Sequence, residues 1–367
     1  MTIHFVDLDA QYQSIKGEVQ NAINGILESK DFIHGKSVEK FSKNFAAAQG
    51  SKYCVGAANG TSAITVALRA LNVQPGDEVI TVANSFFATP EAIAEVYAKP
   101  VFVDCEADTY SIDVSQIEKK ITSKTKAIIP VHLYGNPVDM DALMKVANKH
   151  NIPVIEDCAQ AHLATWNGKG AGTFGAMGTF SFYPGKNLGA YGDAGAITVQ
   201  DDKLHQLAAM HVNHGRTKKY EHDFCAGNFR MDGMQAAILD VKLKYLNDWT
   251  EKRRELACHY ESILQPAGFK SITVRKQAKC VYHIYLVEVS NRDEVMNHFK
   301  TLDIQCGVHY PIPLHMQPAL KHLEHKKGDF PVTERAAERI LSLPMYAELT
   351  KAEVETVCAE LIKVAKK

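Results

Sequence analysis

The sequence predicts an α/β fold: a large domain with a mostly parallel, doubly wound sheet, followed by a smaller α+β C-terminal domain. Short β-branched runs alternate with helical patterns from about residue 53 to 198, and those runs are apolar throughout. Strands without in/out alternation are typical of a parallel sheet covered by helices on both faces. The composition changes beyond about residue 232, and 367 residues are enough for two domains.

The strands predicted for the large domain follow turn signals along the chain. They are YCVGAA (53–58), EVITV (78–82), PVFV (100–103), AIIPV (127–131), IPVIED (152–157), TFSFYP (179–184) and AGAITV (194–199). Helical patterns fill the gaps between the first five, in SAITVALRAL, ATPEAIAEVYA and DMDALMKVANKH. Alternating strands and helices of this kind favour βαβ units.

A second domain is predicted after a long helix that starts near residue 232 and carries many charges. We place the boundary so that residues 1–250 form the large domain and 251–367 the small one. A strand near 284–289, helices near 293–302 and 333–341, and the loop HYPIPLH make up the small domain.

Charge and composition exclude several classes of protein. Lysine and arginine total 41 against 42 aspartate and glutamate, and the net charge of −1 offers no basic field for nucleic acid or an anionic membrane. The acidic N-terminus and the lack of a run of about 18 apolar residues predict a cytoplasmic protein. The eight cysteines are scattered, which predicts buried free thiols rather than a disulfide scaffold.

Asp157 and Lys186 are the candidate chemical groups. Asp157 ends an apolar strand, and ligands of open parallel sheets bind beyond the carboxyl ends of strands. Lys186 lies in a turn-prone, partly apolar segment, where desolvation favours the neutral, nucleophilic amine. Pyridoxal phosphate (PLP) uses both groups, because its aldehyde forms a Schiff base with lysine while a carboxylate keeps the pyridine nitrogen protonated. Taken alone, the pair also fits a solvated loop lysine and a strand-end cap, which is the commoner case.

Three further segments are compatible with such a cofactor. Residues 59–62 join a strand to a helix that starts near Ser62, so that backbone N–H groups near Gly60 and Thr61 can bind a phosphate. An ordinary N-cap role for Thr61 or Ser62 fits as well. Ser181 can add a hydroxyl to the same phosphate, although a strand serine is more often merely exposed. Phe86 follows the predicted strand at 78–82 and can stack on a cofactor ring, although an aromatic there is usually part of the core.

The chain carries, in order, the segments FVDL, ANGTSA, PGDEVIT, TKAIIPVHLYG, PVIEDCAQAH, SFYPGKNLGAYGDAGA, NHGR, GNFRMDGMQAAIL and HYPIPLH. Over nearly its entire length it therefore resembles the DegT/DnrJ/EryC1/StrS family of PLP-dependent nucleotide-sugar aminotransferases. The resemblance implies a fold type I PLP-dependent aminotransferase, a homodimer with shared active sites, and ping-pong transfer of an amino group from glutamate to a nucleotide-linked keto-sugar through pyridoxamine phosphate.

The resemblance also implies roles for individual residues. Lys186 is implied as the catalytic Schiff-base lysine, and the family pattern matches cofactor contacts at Gly60, Thr61, Phe86, Asp157, Gln160, Ser181 and, from the partner subunit, Asn228. Sugar-nucleotide contacts are matched by His309, Tyr310 and, from the neighbour, Arg230. Relatives that dehydrate the sugar carry histidine in place of the lysine, so Lys186 implies transamination. The opening IHFVDLDAQY and the run NHGRTKKYEH resemble enzymes that act on 3-keto rather than 4-keto sugars.

Three other interpretations were weighed. Residues 170–175 satisfy G-x-G-x-x-G, but Gly and Pro in the following AMGTFSFYPGKN argue against the helix that a nicotinamide site requires. Histidine pairs 211/214 and 309/315 lack the further ligands of a zinc site, so no metal is expected. A PLP-binding regulator without turnover is disfavoured by the near-neutral charge and the lack of an N-terminal DNA-binding module. The nucleoside, UDP or dTDP, stays open.

Overall fold

The computed structural model describes residues 2–367. Its α-helices are Leu8–Ser29 (α1), Lys36–Gln49 (α2), Gly60–Ala70 (α3), Ala88–Glu95 (α4), Val114–Ile117 (α5), Met140–His150 (α6), Asp202–Val212 (α7), Gly233–Leu243 (α8), Leu246–Leu264 (α9), Arg292–Thr301 (α10), Pro331–Arg339 (α11) and Lys351–Val364 (α12). Its strands are Tyr53–Ala57 (β1), Glu78–Val82 (β2), Lys99–Val103 (β3), Thr125–Ile129 (β4), Ile155–Asp157 (β5), Thr165–Trp166 (β6), Lys169–Gly170 (β7), Met177–Ser181 (β8), Gly195–Val199 (β9), Arg216–Lys218 (β10), Glu221–His222 (β11), Ala278–Lys279 (β12), Tyr285–Glu288 (β13) and Ile340–Leu343 (β14).

The central sheet has the strand order β1-β9-β8-β5, continued through β4 into β2 and β3. Parallel pairs join β2 to β3 and β4, and β5 to β8. Two isolated parallel bridges, Ile128–Val154 and Val131–Asp157, join the β4 region to the β5 region. The predicted α/β fold with a mostly parallel sheet is therefore confirmed.

Strand β9 runs antiparallel to both of its neighbours, β1 and β8. The segment between β8 and β9 contains no helix, so the chain returns directly instead of crossing over a face of the sheet. All five residues of β9 are buried, as the apolar pattern predicts. That pattern reports burial on both faces and not strand direction, so this reversal was not visible in the sequence.

The long helix predicted from residue 232 is wrong in one respect, because the structure divides it into α8 and α9. A tight turn separates them, with Lys244 N–H donating to Val241 O and Tyr245 N–H donating to Lys242 O. Tyr245 at this turn donates its hydroxyl to Glu18 of α1. No Gly or Pro marks the break, so the local sequence gave no sign of it.

The region predicted as the small domain contains the antiparallel pair β13–β14, with α10 and α11 close to their predicted positions. Asp104, just after β3, is buried and accepts bonds from Val332 N (2.9 Å), Thr333 N (2.9 Å) and Thr333 Oγ1 (2.7 Å). A carboxylate from the large domain thus caps the N-terminus of α11. The boundary at residue 250 stays a prediction, and α9 runs across it without a break.

Within residues 2–367, no helix combines the length and the apolarity needed to cross a membrane.

Candidate active site

Asp157 lies at the carboxyl end of β5 and is only 5% exposed. Its Oδ2 accepts a hydrogen bond from Thr89 Oγ1 at 2.8 Å, and its Oδ1 accepts one from Ala159 N at 3.1 Å. Burial raises the pKa of the Asp157 carboxyl, while these two donors and the Lys186 ammonium oppose the rise. The carboxylate therefore occupies a dry site where a cationic partner would stabilise it.

Lys186 lies in the segment between β8 and β9, where its backbone N–H donates to Tyr183 O at 2.8 Å. Burial lowers the pKa of the Lys186 amine from 10.5 to about 8, and the charge of Asp157 opposes that change. Each group influences the pKa of the other, so the fold brings the two candidate chemical groups together. An amine with this pKa is available in its neutral, nucleophilic form near pH 8.

The N-terminus of α3 lies close against Ser181 of β8. Asn59 and Ser62 form a capping box, in which Asn59 Oδ1 accepts from Ser62 N at 2.8 Å and Ser62 Oγ accepts from Asn59 N at 3.1 Å. A Cβ atom added at Gly60 would lie 2.7 Å from the Cβ of Ser181, so only glycine allows this close approach. Gly60, Thr61 and Ser181 therefore meet where the helix dipole favours a phosphate.

Two aromatic side chains, Phe86 and Tyr310, lie near the Asp157 carboxylate. Phe86 is 55% exposed, and its ring centroid lies 5.6 Å from that of Tyr310. Gln160 donates from Nε2 to the Tyr310 hydroxyl at 3.1 Å and accepts at Oε1 from Tyr134 N at 2.6 Å. Tyr134 also donates its hydroxyl to His309 O at 2.6 Å. The structure thus brings Phe86, Gln160, His309 and Tyr310 together, with the last two supplied by the small domain.

Asn228 and Arg230 lie apart from these groups in the described chain. Asn228 is exposed and pairs through its backbone with Asn213. Arg230 lies near His34 and, together with burial, lowers the pKa of that imidazole. Arg230 Nε is buried without a hydrogen-bond partner among the described residues. Neither side chain forms a hydrogen bond to the Asp157 or Lys186 region within residues 2–367.

Residues 170–175, the alternative dinucleotide motif, surround a buried carboxylate instead of preceding a helix. The backbone N–H of Gly172 donates to Glu156 Oε2 at 2.8 Å, and those of Phe174 and Gly175 donate to Glu156 Oε1 at 2.7 and 2.8 Å. The motif is followed by strand β8. These N–H groups are already occupied, so they offer no site for a dinucleotide phosphate.

His132, Glu156 and Cys158 form a buried group with metal-ligand chemistry. His132 Nδ1 accepts from Val138 N at 3.0 Å, so the hydrogen lies on Nε2, which donates to Glu156 Oε2 at 3.1 Å. Burial raises the pKa of the Cys158 thiol well above its usual value. These hydrogen bonds and the protonated thiol describe a satisfied polar network rather than a set of metal ligands.

Several residues that shape this site were missed by the sequence analysis. Thr89 and Tyr134 contact Asp157 and Gln160 from other parts of the chain, and no local pattern marks them. Glu156 could have been suspected, because a charged residue in a wholly apolar strand requires buried partners.

The sequence matches the DegT/DnrJ/EryC1/StrS aminotransferase family over residues 13–362. It is 43% identical over 364 residues to the "Pleiotropic regulatory protein" of Geobacillus stearothermophilus, covering 98% of each chain. It is 43% identical to the dTDP-3-amino-3,6-dideoxy-alpha-D-galactopyranose transaminase of Aneurinibacillus thermoaerophilus, covering 97% of each. It is 39% identical to the UDP-2-acetamido-2-deoxy-3-oxo-D-glucuronate aminotransferase of Pseudomonas aeruginosa, covering 98% of this chain and 99% of that protein.

Solved structures agree with this match. The crystal structure of DesV from S. venezuelae in complex with a ketimine intermediate has a TM-score of 0.96 and 36% identity, covering 99% of this chain and 98% of that one. NtdA from Bacillus subtilis with bound cofactor PMP has a TM-score of 0.88 and 32% identity, covering 95% of this chain and 82% of that one.

Proposed function

Because the chain belongs to the DegT/DnrJ/EryC1/StrS aminotransferase family and is thus a PLP-dependent aminotransferase, we propose that it transfers an amino group from glutamate to the 3-keto position of a nucleotide-linked sugar. The observation that carries the proposal is the placement of Asp157 and Lys186: buried Asp157 ends β5, and half-buried Lys186 follows β8, the strand paired with β5. The charge of each accordingly influences the pKa of the other. Beside them lies the close approach of Gly60 to Ser181 at the N-terminus of α3.

The residues present fit the cofactor. When bound, PLP supplies an aldehyde that condenses with amines and a protonated ring that withdraws electrons from the substrate carbon. We assign its phosphate to Gly60, Thr61 and Ser181. The buried Asp157 carboxylate would hold the proton on the ring nitrogen, and a charge-assisted bond of this kind is stronger in a dry site.

Lys186 would attach the cofactor and then move protons. Its amine, with a pKa of about 8, would act as the general base and acid, accepting the proton of the glutamate α-carbon and releasing it again during the transfer. Gln160 would bind the ring hydroxyl, and Phe86 would stack on the ring. The same amine would act in reverse on the sugar, which gives ping-pong kinetics with pyridoxamine phosphate as the second form of the enzyme.

The proposed homodimer completes the site. Within residues 2–367, Asn228 and Arg230 have no partner in the Asp157 and Lys186 region, and Arg230 Nε is buried without a hydrogen-bond partner. Arg230 lies near His34, and His34 lines a groove of about 580 Å³ that runs along α2 and β1. We propose that a second copy covers this surface, where Asn228 would reach the partner's cofactor phosphate and Arg230 the partner's sugar nucleotide beside His309 and Tyr310.

The names of relatives support the 3-keto assignment. One is a transaminase named for a dTDP-3-amino sugar, and another acts on a UDP sugar with a 3-oxo group. A 4-keto sugar remains the alternative acceptor. One relative is named a regulatory protein. The experiment below therefore also includes the outcome expected of a PLP-binding regulator without turnover.

The test separates the two half-reactions. Glutamate is mixed with the PLP-loaded enzyme, and the release of 2-oxoglutarate is measured. A panel of 3-keto and 4-keto sugars on UDP and dTDP is then added, and amino-sugar products are detected by mass spectrometry. We expect amination of a 3-keto sugar. Turnover of 4-keto sugars alone would refute the 3-keto assignment, and no turnover with any sugar would favour a regulator.

Replacing the proposed catalytic lysine tests the assignment directly. Lys186→Ala removes the attachment point and the proton carrier, so we expect a loss of at least about 10²–10⁴-fold in the rate of the glutamate half-reaction. Lys203→Ala is the matched control, because Lys203 is an exposed lysine of α7. A Lys186→Ala enzyme that works at the wild-type rate would disprove the assignment.

Mixed dimers test the shared site. Asn228→Ala and Lys186→Ala are each expected to be impaired as homodimers, but a hybrid dimer contains one active site with both native residues. We therefore expect part of the activity to return when the two variants are dissociated and reassembled together. If confirmed hybrids show no recovery, Asn228 does not act across the interface.

A further inference from the structure

The segment 183–191, here named the lysine loop, is held from the small-domain side by one side-chain pair. Asn187, next to Lys186, is only 3% exposed. Its Nδ2 donates to Val281 O at 3.1 Å, and its Oδ1 lies 3.0 Å from His283 Nδ1. Val281 and His283 belong to the segment that leads into β13. The residue beside the lysine is thus fixed by a part of the chain that is distant in sequence.

The hydrogen-bond pattern determines the tautomer of His283. A backbone carbonyl only accepts, so the Asn187 amide nitrogen must face Val281 O. The Asn187 oxygen then faces His283 and can also only accept. His283 must therefore carry its hydrogen on Nδ1 and donate it to Asn187.

The surroundings keep this imidazole neutral. Burial lowers the pKa of His283 well below its usual value, and Lys186, Arg253, His309 and His162 act in the same direction. A neutral ring with its hydrogen on Nδ1 leaves no second positive charge beside the lysine.

The segment that carries His283 is itself firmly anchored to the rest of the fold. Arg253 donates to Tyr282 O at 3.3 Å, Arg254 Nε donates to Cys280 O at 2.8 Å, and Val281 N donates to Gly135 O at 3.0 Å. These three bonds precede His283 in the chain, and the pairing of Tyr285 with Leu343 in β13–β14 follows it. The segment is therefore held on both sides of His283, which prevents His283 from following a displaced Asn187. Residues 280–283 can therefore hold the lysine loop in place through the bonds to Asn187.

We propose that His283 and Asn187 are positioning residues, whose hydrogen bond holds the lysine loop so that the Lys186 amine stays aligned for proton transfer. The proposal rests on the role proposed above for Lys186. A displacement of about 1 Å at a reacting group can cost on the order of 100-fold in rate. We therefore expect loss of the bond to lower kcat by about 10–100-fold while leaving KM for glutamate within about twofold.

Two polar substitutions distinguish the hydrogen bond from mere packing. His283→Asn places an amide N–H near the position of Nδ1, whereas His283→Gln places it near the position of Nε2. We expect His283→Asn to keep most of the wild-type kcat, and His283→Gln and His283→Leu to lose it. Asn187→Leu removes this bond and also the bond to Val281 O, so it should lose at least as much kcat as His283→Leu. The double variant should be no worse than Asn187→Leu alone, because the bond between the two side chains is already lost in that variant.

The measurements are made on the PLP-loaded enzyme, with His298→Leu as control because His298 pairs with Glu360 on another face of the small domain. Borohydride reduction followed by peptide mass spectrometry reports which lysine holds the cofactor and at what occupancy. Cofactor on Lys186 at full occupancy with a low kcat in His283→Gln supports the proposal. An unchanged kcat, equal kcat values for the Asn and Gln variants, or an additive double variant would overturn it. Cofactor on another lysine in the wild-type enzyme would instead overturn the proposed function.

Discussion

Lys242 offers a quantitative test of how the lysine loop is held from α8. Its side chain is fully buried, its Nζ donates to Gly189 O at 2.5 Å, and it lies 4.8 Å from the centre of the Tyr191 ring. Burial lowers the pKa of this amine from 10.5 to about 8, opposed by the charge of Glu348. Replacing it by methionine keeps an unbranched side chain of similar length and removes the charge and the donor.

The two effects of Lys242→Met have opposite signs. A pKa lowered from 10.5 to about 8 corresponds to about 3 kcal/mol against the charged amine in the folded protein. Removing it therefore stabilises the fold by about 3 kcal/mol below pH 8, while the unpaired Gly189 carbonyl costs about 1–3 kcal/mol. We expect the variant to lie between equal stability and about 2 kcal/mol greater stability at pH 7.

The pH dependence isolates the charge. Between pH 8 and 10.5 the unfolded chain keeps the Lys242 proton while the folded chain has released it, so the free energy of unfolding of the wild type rises with pH. The variant lacks this rise. The difference, variant minus wild type, should fall by about 3 kcal/mol across this window, so that the variant becomes the less stable protein at pH 10.5.

Urea denaturation of both proteins at a fixed cofactor concentration, at pH 7 and in steps to 10.5, measures the difference. Lys244→Met is the matched control, because Lys244 is exposed and pairs with Glu18 at the surface. We expect its difference from wild type to stay nearly constant over the same range. If the difference in free energy of unfolding between Lys242→Met and wild type is also constant, the buried charge of Lys242 does not destabilise the folded protein. That result would refute the expected pH dependence.

Two further predictions concern the phosphate surface and the buried carboxylate. Gly60→Ala places a Cβ 2.7 Å from the Cβ of Ser181 and should weaken PLP binding about tenfold or more in a cofactor titration. The control Gly25→Ala has open space around the new Cβ and should leave PLP binding unchanged. Equal PLP affinities of the two variants would contradict the assignment of the phosphate to Gly60. Glu156→Gln removes the charge that accepts three N–H groups from residues 172–175 and should lower the free energy of unfolding by about 2–5 kcal/mol. An unchanged urea midpoint for Glu156→Gln would show that this network contributes nothing to stability.

Local patterns were sufficient for much of the fold. The apolar runs gave β1, β2 and β3 to within one residue, because continuous burial and β-branched side chains are visible in the sequence itself. The sequence placed the start of α3 near residue 62 with Thr61 or Ser62 as its N-cap, but the helix begins at Gly60 and its N-cap is Asn59. The structure shows that the side chains of Asn59 and Ser62, three residues apart, cap the helix together. The break between α8 and α9 was not visible, because residues 241–247 contain no Gly or Pro and continue the helical pattern.

For the candidate site too, the sequence named some residues and gave no sign of other contacts. The sequence named Asp157 and Lys186 through strand position, desolvation and the order of the family's segments. It gave no sign that residues 170–175 bind Glu156, and it assigned those glycines only a weak nucleotide motif. Carboxylate and phosphate use the same N–H donors, so the spacing of glycines does not tell one acceptor from the other.

The sequence by itself determined the α/β class and the family, and it singled out the lysine and aspartate to which we assign the chemistry, because these are recorded in short, contiguous segments. The tertiary structure decided the direction of β9, the cap that Asp104 supplies to α11, and the hydrogen bond between His283 and Asn187. Each of these pairs groups that are far apart along the chain. Hydrogen bonds act over about 3 Å, so only the folded chain shows which distant donor reaches which acceptor.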